Sequence, residues 1–522
     1  MQIREHAEAT PDKPAVIMYP SGTTVTFGEM EARANQLAHL FREAGLREGD
    51  AVAILLENNE HFHTVMWAAR RSGLYYVPIN THLTAAEAAY IIDNSAAKAI
   101  VGSAKLRPVL EGLAEQLPNG LPELLIVIDG AESSATDASS DLDGWHSYPE
   151  CVADQPITPI SDEIEGDLLQ YSSGTTGRPK GIKRELPHLP PSEAPGLMTM
   201  LVSFWMNPDG VYLSPAPLYH TAPSVWSMTM QAAGIPVVVM EKFDAEGTLD
   251  AIQRHQITHG QFVPVMFTRM LKLPETVRNS YDVSSLQRVM HAAAPCPVEV
   301  KKQMIDWWGP IVDEYYASSE AIGSTLISAE EWLAHPGSVG KPMVGNLHIL
   351  DEQGNELPPG EPGEIYFESA NTFEYLNDAE KTASSRHPKG WMTVGDIGYL
   401  DDEGYLYLTD RRHHMIISGG VNIYPQEAEN MLVIHPKVMD AAVFGIPDDE
   451  MGQRVKGVVQ LVDHAEASDE LAEELLVWLR ERLAHYKCPR SISFEPQLPR
   501  TDTGKLYKQE LIAKYSAPAP TG

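Results

Sequence analysis

The 522-residue chain carries 39 Lys and Arg against 72 Asp and Glu, a formal net charge of -33, with 43% hydrophobic and 21% charged residues. The length predicts a large domain with at least one smaller one, and the composition is typical of globular rather than disordered or fibrous proteins. The charge argues against generic binding to nucleic acid or to an anionic membrane surface, so any anionic ligand needs a local site of backbone N–H groups and a few cations.

The first part of the chain alternates between predicted helices and strands. Thr26 followed by Glu29 makes a capping box, and apolar residues then recur at helical spacing until Gly45. The next predicted elements are, in order, a buried strand at 51–56, a helix at 61–72, a strand at 74–79 and a helix opened by the capping box Thr84 to Glu87. This alternation predicts a layered α/β domain with a largely parallel sheet.

The remainder of the chain changes character twice. Residues 130–159 are polar, rich in Ser, Asp and Pro, and are predicted to be irregular. Beyond Asp410 the predicted elements are short strands at 415–418, 441–444 and 455–461 and an amphipathic helix at 469–485. This pattern predicts a separate α+β lobe. We therefore predict an N-terminal domain at 1–411, a C-terminal domain at 412–515 and a disordered tail at 516–522.

Cysteine usage and apolar stretches indicate the compartment. Cys151, Cys296 and Cys488 have the spacing of neither a metal clip nor a disulfide framework, which fits a reducing cytoplasm. The N-terminal segment lacks the apolar core of a signal peptide, and the longest apolar stretches, such as 235–240, are far shorter than a membrane span. We predict a cytoplasmic protein without integral membrane contact.

The most informative segment is YSSGTTGRPKG at residues 171–181. Its glycines free the backbone to curl around an anion, its Ser and Thr side chains supply hydroxyl donors, and Arg178 and Lys180 add positive charge. This combination indicates a phosphate-binding loop, for which a polar surface turn is the simpler alternative. A P-loop kinase or ATPase is disfavoured because its pattern needs Ser or Thr directly after the lysine, whereas Gly181 follows Lys180.

Four further motifs follow along the chain: YYASSE at 315–320, GWMTVGDIGYLDDEGYLYLTDR at 390–411, SGGVNIYPQE at 418–427 and PRTDTGK at 499–505. With the phosphate loop, they resemble in kind and order the motifs of the adenylate-forming superfamily of acyl-CoA synthetases, nonribosomal peptide adenylation domains and beetle luciferases. One such motif is weak evidence, whereas five in family order are strong. The resemblance implies a large N-terminal α/β domain of several subdomains with a small, mobile C-terminal α+β lid domain, and the use of ATP, Mg²⁺ and CoA.

The resemblance also implies which residues bind the nucleotide. Glu320 is expected to be the magnesium ligand, Ser319, where the family usually has Thr, to contact phosphate, and Tyr316 to pack on the adenine. Asp396 and Arg411 are expected to hold the ribose hydroxyls, since a carboxylate accepts two hydroxyl protons and a guanidinium adds a rigid donor. The other expected ATP-binding residues are Ser172, Ser173, Gly174, Thr175, Thr176, Lys180, Ala293 and Ala317. Solvated surface charges are the alternative for the carboxylates and the arginine.

The same resemblance implies the remaining catalytic and CoA-binding positions. Lys505 is expected to reach the substrate carboxylate and the α-phosphate and to neutralise charge in the transition state, with a merely solvated lysine as the alternative. His220 is expected to act beside the acyl site. Ser418, Gly419 and Gly420 are expected beside a tunnel for the pantetheine arm of CoA, where side chains would crowd a thin passage.

His413 stands at the predicted interdomain hinge, where many family members carry Asp or Lys. A metal site with His414 is disfavoured because adjacent residues on a strand point apart and no Cys or carboxylate completes a site. A histidine at this position would make domain rotation mildly pH-sensitive near neutrality. A tolerated, exposed hinge residue is the simpler alternative.

The acid-binding pocket is the least specific part of the prediction. His220 lies beside it in PLYHTAP, and His291 stands where many relatives have a small residue, which would narrow or polarise the pocket. The candidate lining residues are Trp226, Phe262, Val263, Pro264, His291 and Gly323. Core packing is the alternative at each of them, so the sequence does not identify the acid.

We therefore predict an acyl-CoA synthetase that activates a carboxylic acid as an acyl-adenylate, releases pyrophosphate and transfers the acyl group to CoA. The expected partners are a small carboxylic acid and CoA, and a homodimer is left open. The main alternative is an adenylation enzyme that loads a carrier protein in trans, since no carrier domain follows Lys505. A luciferase-like oxygenase is a further alternative. A catalytically silent homologue is disfavoured because it would be expected to lack Lys505 or Glu320.

Overall fold

The computed structural model describes residues 2–128, 142–172, 179–194, 207–411, 415–418, 421–448, 450–500 and 506–516, apart from the side chains of residues 410, 411 and 422. The helices of these ranges are α1 (Ile3–Ala9), α2 (Phe27–Glu43), α3 (Phe62–Arg71), α4 (Ala85–Asn94), α5 (Arg107–Gln116), α6 (Tyr148–Val152), α7 (Thr221–Ala232), α8 (Ala245–His255), α9 (Pro264–Leu271), α10 (Glu275–Arg278), α11 (Val298–Trp308), α12 (Ala329–Ala334), α13 (Ala379–Ser384), α14 (Pro425–Val433), α15 (Asp469–Arg480) and α16 (Lys508–Ser516). None of these helices combines the length and apolar character needed to cross a bilayer.

The strands of the same ranges are β1 (Pro14–Tyr19), β2 (Thr24–Thr26), β3 (Ala51–Leu55), β4 (Tyr75–Pro78), β5 (Ala97–Ser103), β6 (Leu124–Ile128), β7 (His146–Ser147), β8 (Asp167–Leu168), β9 (Gln170–Ser172), β10 (Lys180–Lys183), β11 (Tyr212–Ser214), β12 (Val237–Met240), β13 (His259–Phe262), β14 (Arg288–His291), β15 (Val312–Ala317), β16 (Ser324–Ile327), β17 (Ser338–Val344), β18 (Asn346–Leu350), β19 (Gly363–Glu368), β20 (Glu374–Tyr375), β21 (Asp396–Leu400), β22 (Leu406–Arg411), β23 (Ile416–Ser418), β24 (Val421–Ile423), β25 (Val438–Asp448), β26 (Gly452–Leu461) and β27 (Ser491–Phe494). The chain divides into two compact units. Unit 1 comprises Met1–Gln261, Ser285–Arg288 and Thr372–Thr382. Unit 2 comprises Phe262–Ser284, Val289–Asn371 and Ala383–Gly522.

A six-stranded parallel sheet forms the centre of the first part of unit 1. Its strands follow the order β7-β6-β5-β3-β4-β8, and every neighbouring pair is parallel. Apolar residues of α4 and α5 pack against it, and β3 is buried at every position, as expected for a strand covered on both faces. The capping boxes at Thr26 and Thr84 open α2 and α4, as predicted. The alternation of predicted helices and strands along the chain therefore predicted this parallel sheet correctly.

The segment at 130–159 is more ordered than predicted in its described part. His146–Ser147 pairs with β6 as β7, and Tyr148–Val152 forms a short helix with Pro149 in its first turn. Tyr148 is buried, which explains why so polar a stretch is ordered there. The prediction of an irregular segment was wrong for these residues.

A second group of strands in unit 1 is mostly parallel. Strands β13, β11, β12, β1 and β2 lie side by side in that order, all parallel except the β1–β2 pair.

The flanks of the phosphate loop belong to a separate sheet of unit 1. This antiparallel sheet has the order β20-β10-β9 and contains both ends of the 171–181 motif. The motif is therefore held by a hairpin whose partner strand β20 comes from a distant part of the sequence.

In unit 2, strands β14, β15, β16, β17, β22, β21, β19 and β18 lie side by side in that order. β14 and β15 are parallel, and the other neighbouring pairs are antiparallel. In this sheet Asp396 of β21 lies opposite Arg411 of β22.

The C-terminal part of unit 2 is an α+β lobe, as predicted. β25 and β26 form a long antiparallel hairpin, β27 is parallel to β26, and apolar residues of α14 and α15 share a core with these strands. The predicted strands at 441–444 and 455–461 were too short, because backbone pairing carries the ladder through polar residues to Asp448↔Gly452. The predicted helix at 469–485 was too long, since α15 ends at Arg480 and Ala484 has a non-helical ψ of 136°.

Candidate active site

The phosphate-loop motif joins two strands that are paired at its base. Ser172 ends β9, Lys180 begins β10, and these two residues are register partners. The backbone amide of Lys180 donates to Ser172 Oγ at 3.4 Å. A Cβ atom at Gly181 would lie 3.0 Å from the Tyr171 ring, so close packing favours glycine after the lysine. The predicted contacts Ser173, Gly174, Thr175 and Thr176 lie outside the described residues.

The ammonium of Lys180 is paired with a carboxylate that the sequence did not single out. Lys180 Nζ lies 2.7 Å from Asp378 Oδ2, and both side chains remain partly accessible. Hydrogen bonding from Lys180 holds the pKa of the Asp378 carboxyl below its usual value. The ammonium of Lys180 is thus held at a defined place by Asp378.

Two of the predicted nucleotide contacts are brought together in unit 2. The Tyr316 hydroxyl donates to Asp396 Oδ2 at 2.7 Å, although the two residues are 80 positions apart. The Tyr316 ring also stacks on Phe367 with 6.2 Å between centroids. An aromatic face beside a buried carboxylate is an arrangement suited to a base and the hydroxyls of its sugar.

The turn after β15 carries the end of the YYASSE motif. Ala317 closes the strand opposite Ser324, and the Ala321 amide donates to the Ser318 carbonyl oxygen at 3.0 Å. Ala321 has a φ of 54°, which makes the turn tight. Glu320 therefore lies in the turn, three residues beyond the end of β15. Its residue surface is 9% exposed, which argues against the alternative of a fully solvated loop carboxylate.

Ala293 adopts a backbone conformation that L-residues rarely take. It follows β14 with a φ of 75°. Left-handed backbone in a non-glycine residue costs on the order of 1–2 kcal/mol and persists only where surrounding structure enforces it, which happens most often at binding sites. The strain supports Ala293 as a candidate contact.

His291 lies beside a buried ion pair. Lys301 Nζ of α11 is 2.7 Å from Glu314 Oε2 of β15, and His291 Nε2 is 3.3 Å from the same oxygen. Lys301 and His291 are fully buried, and the Lys301 ammonium lies 4.8 Å from the centre of the Trp332 ring. Burial lowers the pKa of His291 well below its ordinary value, with Lys301 adding to the effect, so the imidazole is neutral. Burial raises the pKa of Glu314 against the opposing effect of Lys301.

The other candidate acyl-pocket residues of unit 2 are closely packed. The Phe262 ring lies 5.6 Å from both Phe267 and Trp308, between centroids. Val263 is the N-cap residue of α9 and Pro264 its first residue, a position that suits proline. A Cβ atom at Gly323 would lie 2.1 Å from Cδ1 of Phe367, so a side chain fits there only if the Phe367 ring moves or is replaced. Packing accounts for Phe262 and Gly323, while a role in lining the pocket stays a prediction.

His220 and Trp226 belong to one helix of unit 1. His220 is the N-cap residue of α7, and its ring lies 4.6 Å from that of Tyr219. Trp226 is buried in the same helix. The first turn of α7 therefore presents the histidine, and the helix holds the tryptophan in the core.

In the C-terminal lobe, the structure describes the flanks of the predicted functional segments. Ser418 of β23 pairs with Val421 of β24. The predicted residues His413, Gly419, Gly420 and Lys505 lie outside the described residues, as do residues 517–522 of the predicted tail. The prediction that the disordered tail begins at residue 516 was wrong for Ser516, which is the last residue of α16.

On each side of segment 501–505, a basic residue is paired with a carboxylate. Arg500 Nη2 donates to Asp440 Oδ1 at 2.7 Å, and Lys508 Nζ lies 2.7 Å from Glu429 Oε1. Arg500 and Leu506 form a β-bridge. The two flanks are therefore joined to each other, and Asp440 holds one of them to β25 while Glu429 holds the other to α14.

Comparison with known proteins places these features in a family. Residues 3–375 match the sequence profile of the AMP-binding enzyme, and residues 427–505 match that of the AMP-binding enzyme C-terminal domain. The chain belongs to the AMP-binding enzyme family. As an AMP-binding enzyme it has the fold that its motifs imply, with a large α/β part and a smaller C-terminal part.

Named relatives of this AMP-binding enzyme include CoA ligases. The long-chain-fatty-acid–CoA ligase FadD13 of Mycobacterium tuberculosis is 30% identical, with 99% of this chain and 98% of that protein covered. A feruloyl-CoA synthase of Amycolatopsis sp is 31% identical, with 95% and 94% covered. Among solved structures, o-succinylbenzoate CoA synthetase (MenE) from Bacillus subtilis in complex with the acyl-adenylate intermediate OSB-AMP has a TM-score of 0.76 at 26% identity, with 98% and 97% covered.

In this AMP-binding enzyme, Asp378 and the pair of Lys301 and Glu314 were not predicted from the sequence. Lys301 left a signal, because it lies on the apolar stripe of α11 with Met304, Ile305 and Trp308. A cation on such a stripe needs a buried counter-charge. No comparable sequence pattern marks Asp378, because its partner Lys180 lies 198 residues away in the chain.

Proposed function

We propose that this AMP-binding enzyme is an acyl-CoA synthetase. It converts a carboxylic acid and ATP into an acyl-adenylate and pyrophosphate, and then transfers the acyl group to CoA with release of AMP. The observation that carries this proposal is full-length similarity to enzymes named as CoA ligases, which spans both the large part and the C-terminal lobe.

In the first step, the substrate carboxylate attacks the α-phosphate of ATP and pyrophosphate leaves. We assign the phosphates to the 171–181 loop with Lys180, the adenine to Tyr316 with Ala293 and Ala317, and the ribose to Asp396 with Arg411. The hydrogen bond between Tyr316 and Asp396 supports this assignment, because it fixes the aromatic face relative to the carboxylate before the nucleotide arrives. Ser319 is assigned to a phosphate.

Glu320 is the residue that we assign to Mg²⁺. A mostly buried carboxylate in a tight turn fits this ion, which is usually bound through one or two carboxylates together with substrate phosphates. Bound there, Mg²⁺ would neutralise charge on the phosphates of ATP.

For the second step, we assign the C-terminal lobe, from about residue 412, the role of a lid that turns about His413. Lys505 serves adenylation, and Ser418, Gly419 and Gly420 serve the pantetheine arm. The CoA thiol then attacks the mixed anhydride, the bond to AMP breaks and the thioester forms. His220 and the candidate pocket residues are assigned to the non-covalent binding of the acyl group throughout both steps.

The proposal is tested by measuring pyrophosphate release over a panel of carboxylic acids with ATP, followed by mass spectrometry of the thioester when CoA is added. We expect both steps with at least one acid. Pyrophosphate release without acyl-CoA, combined with loading of a phosphopantetheinylated carrier protein, would favour the carrier-loading alternative instead.

Glu320→Gln is expected to slow adenylation by roughly 10² and to raise the Mg²⁺ concentration needed for half-maximal rate, since one charged ligand is lost where phosphate charge develops. Pyrophosphate release across a Mg²⁺ titration measures both effects. Glu330→Gln, an exposed carboxylate in α12, is the control. An unchanged Mg²⁺ dependence would remove Glu320 from the site.

His413→Pro is expected to leave adenylation within about tenfold of wild type and to lower thioester formation much further. Proline fixes φ near -65° and restricts Arg412 before it, so one lobe orientation is lost while both lobes fold. The measurement compares pyrophosphate release from acid and ATP with acyl-CoA formation from preformed adenylate, using the melting temperature as control. Wild-type rates in both assays would show that His413 is not the pivot.

A further inference from the structure

The partner of Lys180 is itself held in place by its neighbours. Asp378 precedes α13, and its Oδ1 accepts a hydrogen bond from the Lys381 amide at 2.9 Å, which is the geometry of a helix N-cap. The Thr382 hydroxyl bonds to the Asp378 carbonyl oxygen at 2.9 Å and also accepts from the Tyr375 amide at 2.9 Å. The carboxylate therefore has one oxygen fixed by the helix and the other facing Lys180.

The strands bring this carboxylate to the base of the phosphate loop. Tyr375 of β20 is the register partner of Ile182 in β10, two residues after Lys180. Lys180 Nζ also lies 5.9 Å from the centre of the Tyr375 ring. The ammonium thus has an anion and an aromatic face on the side of β20.

We infer that Asp378 is a positioning residue for Lys180 in ATP binding, an inference that rests on the proposed contact between Lys180 and the phosphates. An ammonium has three N–H donors, so pairing with one carboxylate oxygen leaves donors for phosphate. A lysine side chain otherwise samples many rotamers, and holding it beforehand removes an ordering cost from nucleotide binding.

The solvent exposure of the Lys180–Asp378 pair predicts that it affects ATP binding and not folding stability. The side chains of Lys180 and Asp378 are 28% and 32% exposed, and ion pairs at such accessible sites contribute little to folding stability. Loss of the negative charge should consequently alter ATP binding and leave the melting temperature unchanged.

Asp378→Asn isolates the charge, because asparagine caps a helix about as well as aspartate. The variant is expected to raise the KM for ATP and the dissociation constant of ATP about fivefold. The KM for the acid and the rate from preformed acyl-adenylate to acyl-CoA should stay at wild-type values. Glu380→Gln removes a charge from an exposed position of the same helix and should change neither ATP constant.

A double-mutant cycle with Lys180→Ala separates positioning from any other role of Asp378. In the Lys180→Ala background, Asp378→Asn should have no further effect on ATP affinity. The same fivefold loss in both backgrounds, or tighter ATP binding by Asp378→Asn, would overturn the inference. Unchanged ATP affinity in Lys180→Ala would overturn it together with the proposed phosphate contact.

Isothermal titration calorimetry with ATP alone gives the four affinities without acid or CoA. A wild-type protein that binds ATP but forms no acyl-CoA with any acid would count against the proposed function, while the cycle would still decide the role of Asp378.

Discussion

Lys505→Ala is expected to lower the rate of acyl-adenylate formation by about 10³ or more, while acyl-CoA formation from synthetic acyl-adenylate stays near the wild-type rate. The proposed lysine neutralises charge shared between the attacking carboxylate and the α-phosphate, and a preorganised cation in that position stabilises the transition state strongly. Its role ends when pyrophosphate leaves, so the second half-reaction should not depend on it.

The two half-reactions are measured separately, as pyrophosphate release and as thioester formation. Lys514→Ala is a matched control, because that lysine lies in the same lobe, is 59% exposed and pairs with Glu495. Equal losses in both half-reactions would contradict the assignment of Lys505. A loss confined to thioester formation would contradict it as well.

Lys301→Met is expected to lower the free energy of unfolding by about 3–5 kcal/mol, because it leaves Glu314 buried without its cation. Methionine is similar in size, so the loss reports charge and not volume. Adding Glu314→Gln should recover much of the stability, since replacing both partners of a buried pair by neutral groups costs less than removing one. Urea unfolding followed by circular dichroism measures the change.

Lys302→Met is the control for the buried pair, since Lys302 is the exposed neighbour on the same helix. It should stay within about 0.5 kcal/mol of wild type. If Lys301→Met and Lys302→Met lose the same small amount, the interaction between Lys301 and Glu314 contributes nothing to stability.

Local sequence rules predicted the elements that depend on local interactions. The capping boxes at Thr26 and Thr84 formed because a hydroxyl and a glutamate three residues on satisfy each other within one turn. The limits of β25 and β26 were wrong because cross-strand bonds carried pairing through polar residues such as Asp448, which have weak strand preference on their own.

For the candidate site, sequence identified residue types and the structure supplied their neighbours. Tyr316 and Asp396 were both predicted from motifs, yet their hydrogen bond depends on β15 and β21 reaching the same place. The pairing of Lys180 with Asp378 likewise depends on β20 joining β10, which no local pattern encodes. The roles of the site residues and the domain limits stay predictions.

The close approach of Gly323 to Phe367 bears on directed evolution of substrate scope. A saturation library at Gly323 alone would force each new side chain against the Phe367 ring, 2.1 Å from where its first carbon would be. That ring stacks on Tyr316, so the disturbance would reach the proposed adenine contact. A screen of such a library for activity would discard variants because their ATP binding is weakened. Their inactivity would then be misinterpreted as a failure to accept new acids. Randomising positions 323 and 367 together, with smaller residues allowed at 367, separates acid preference from nucleotide binding.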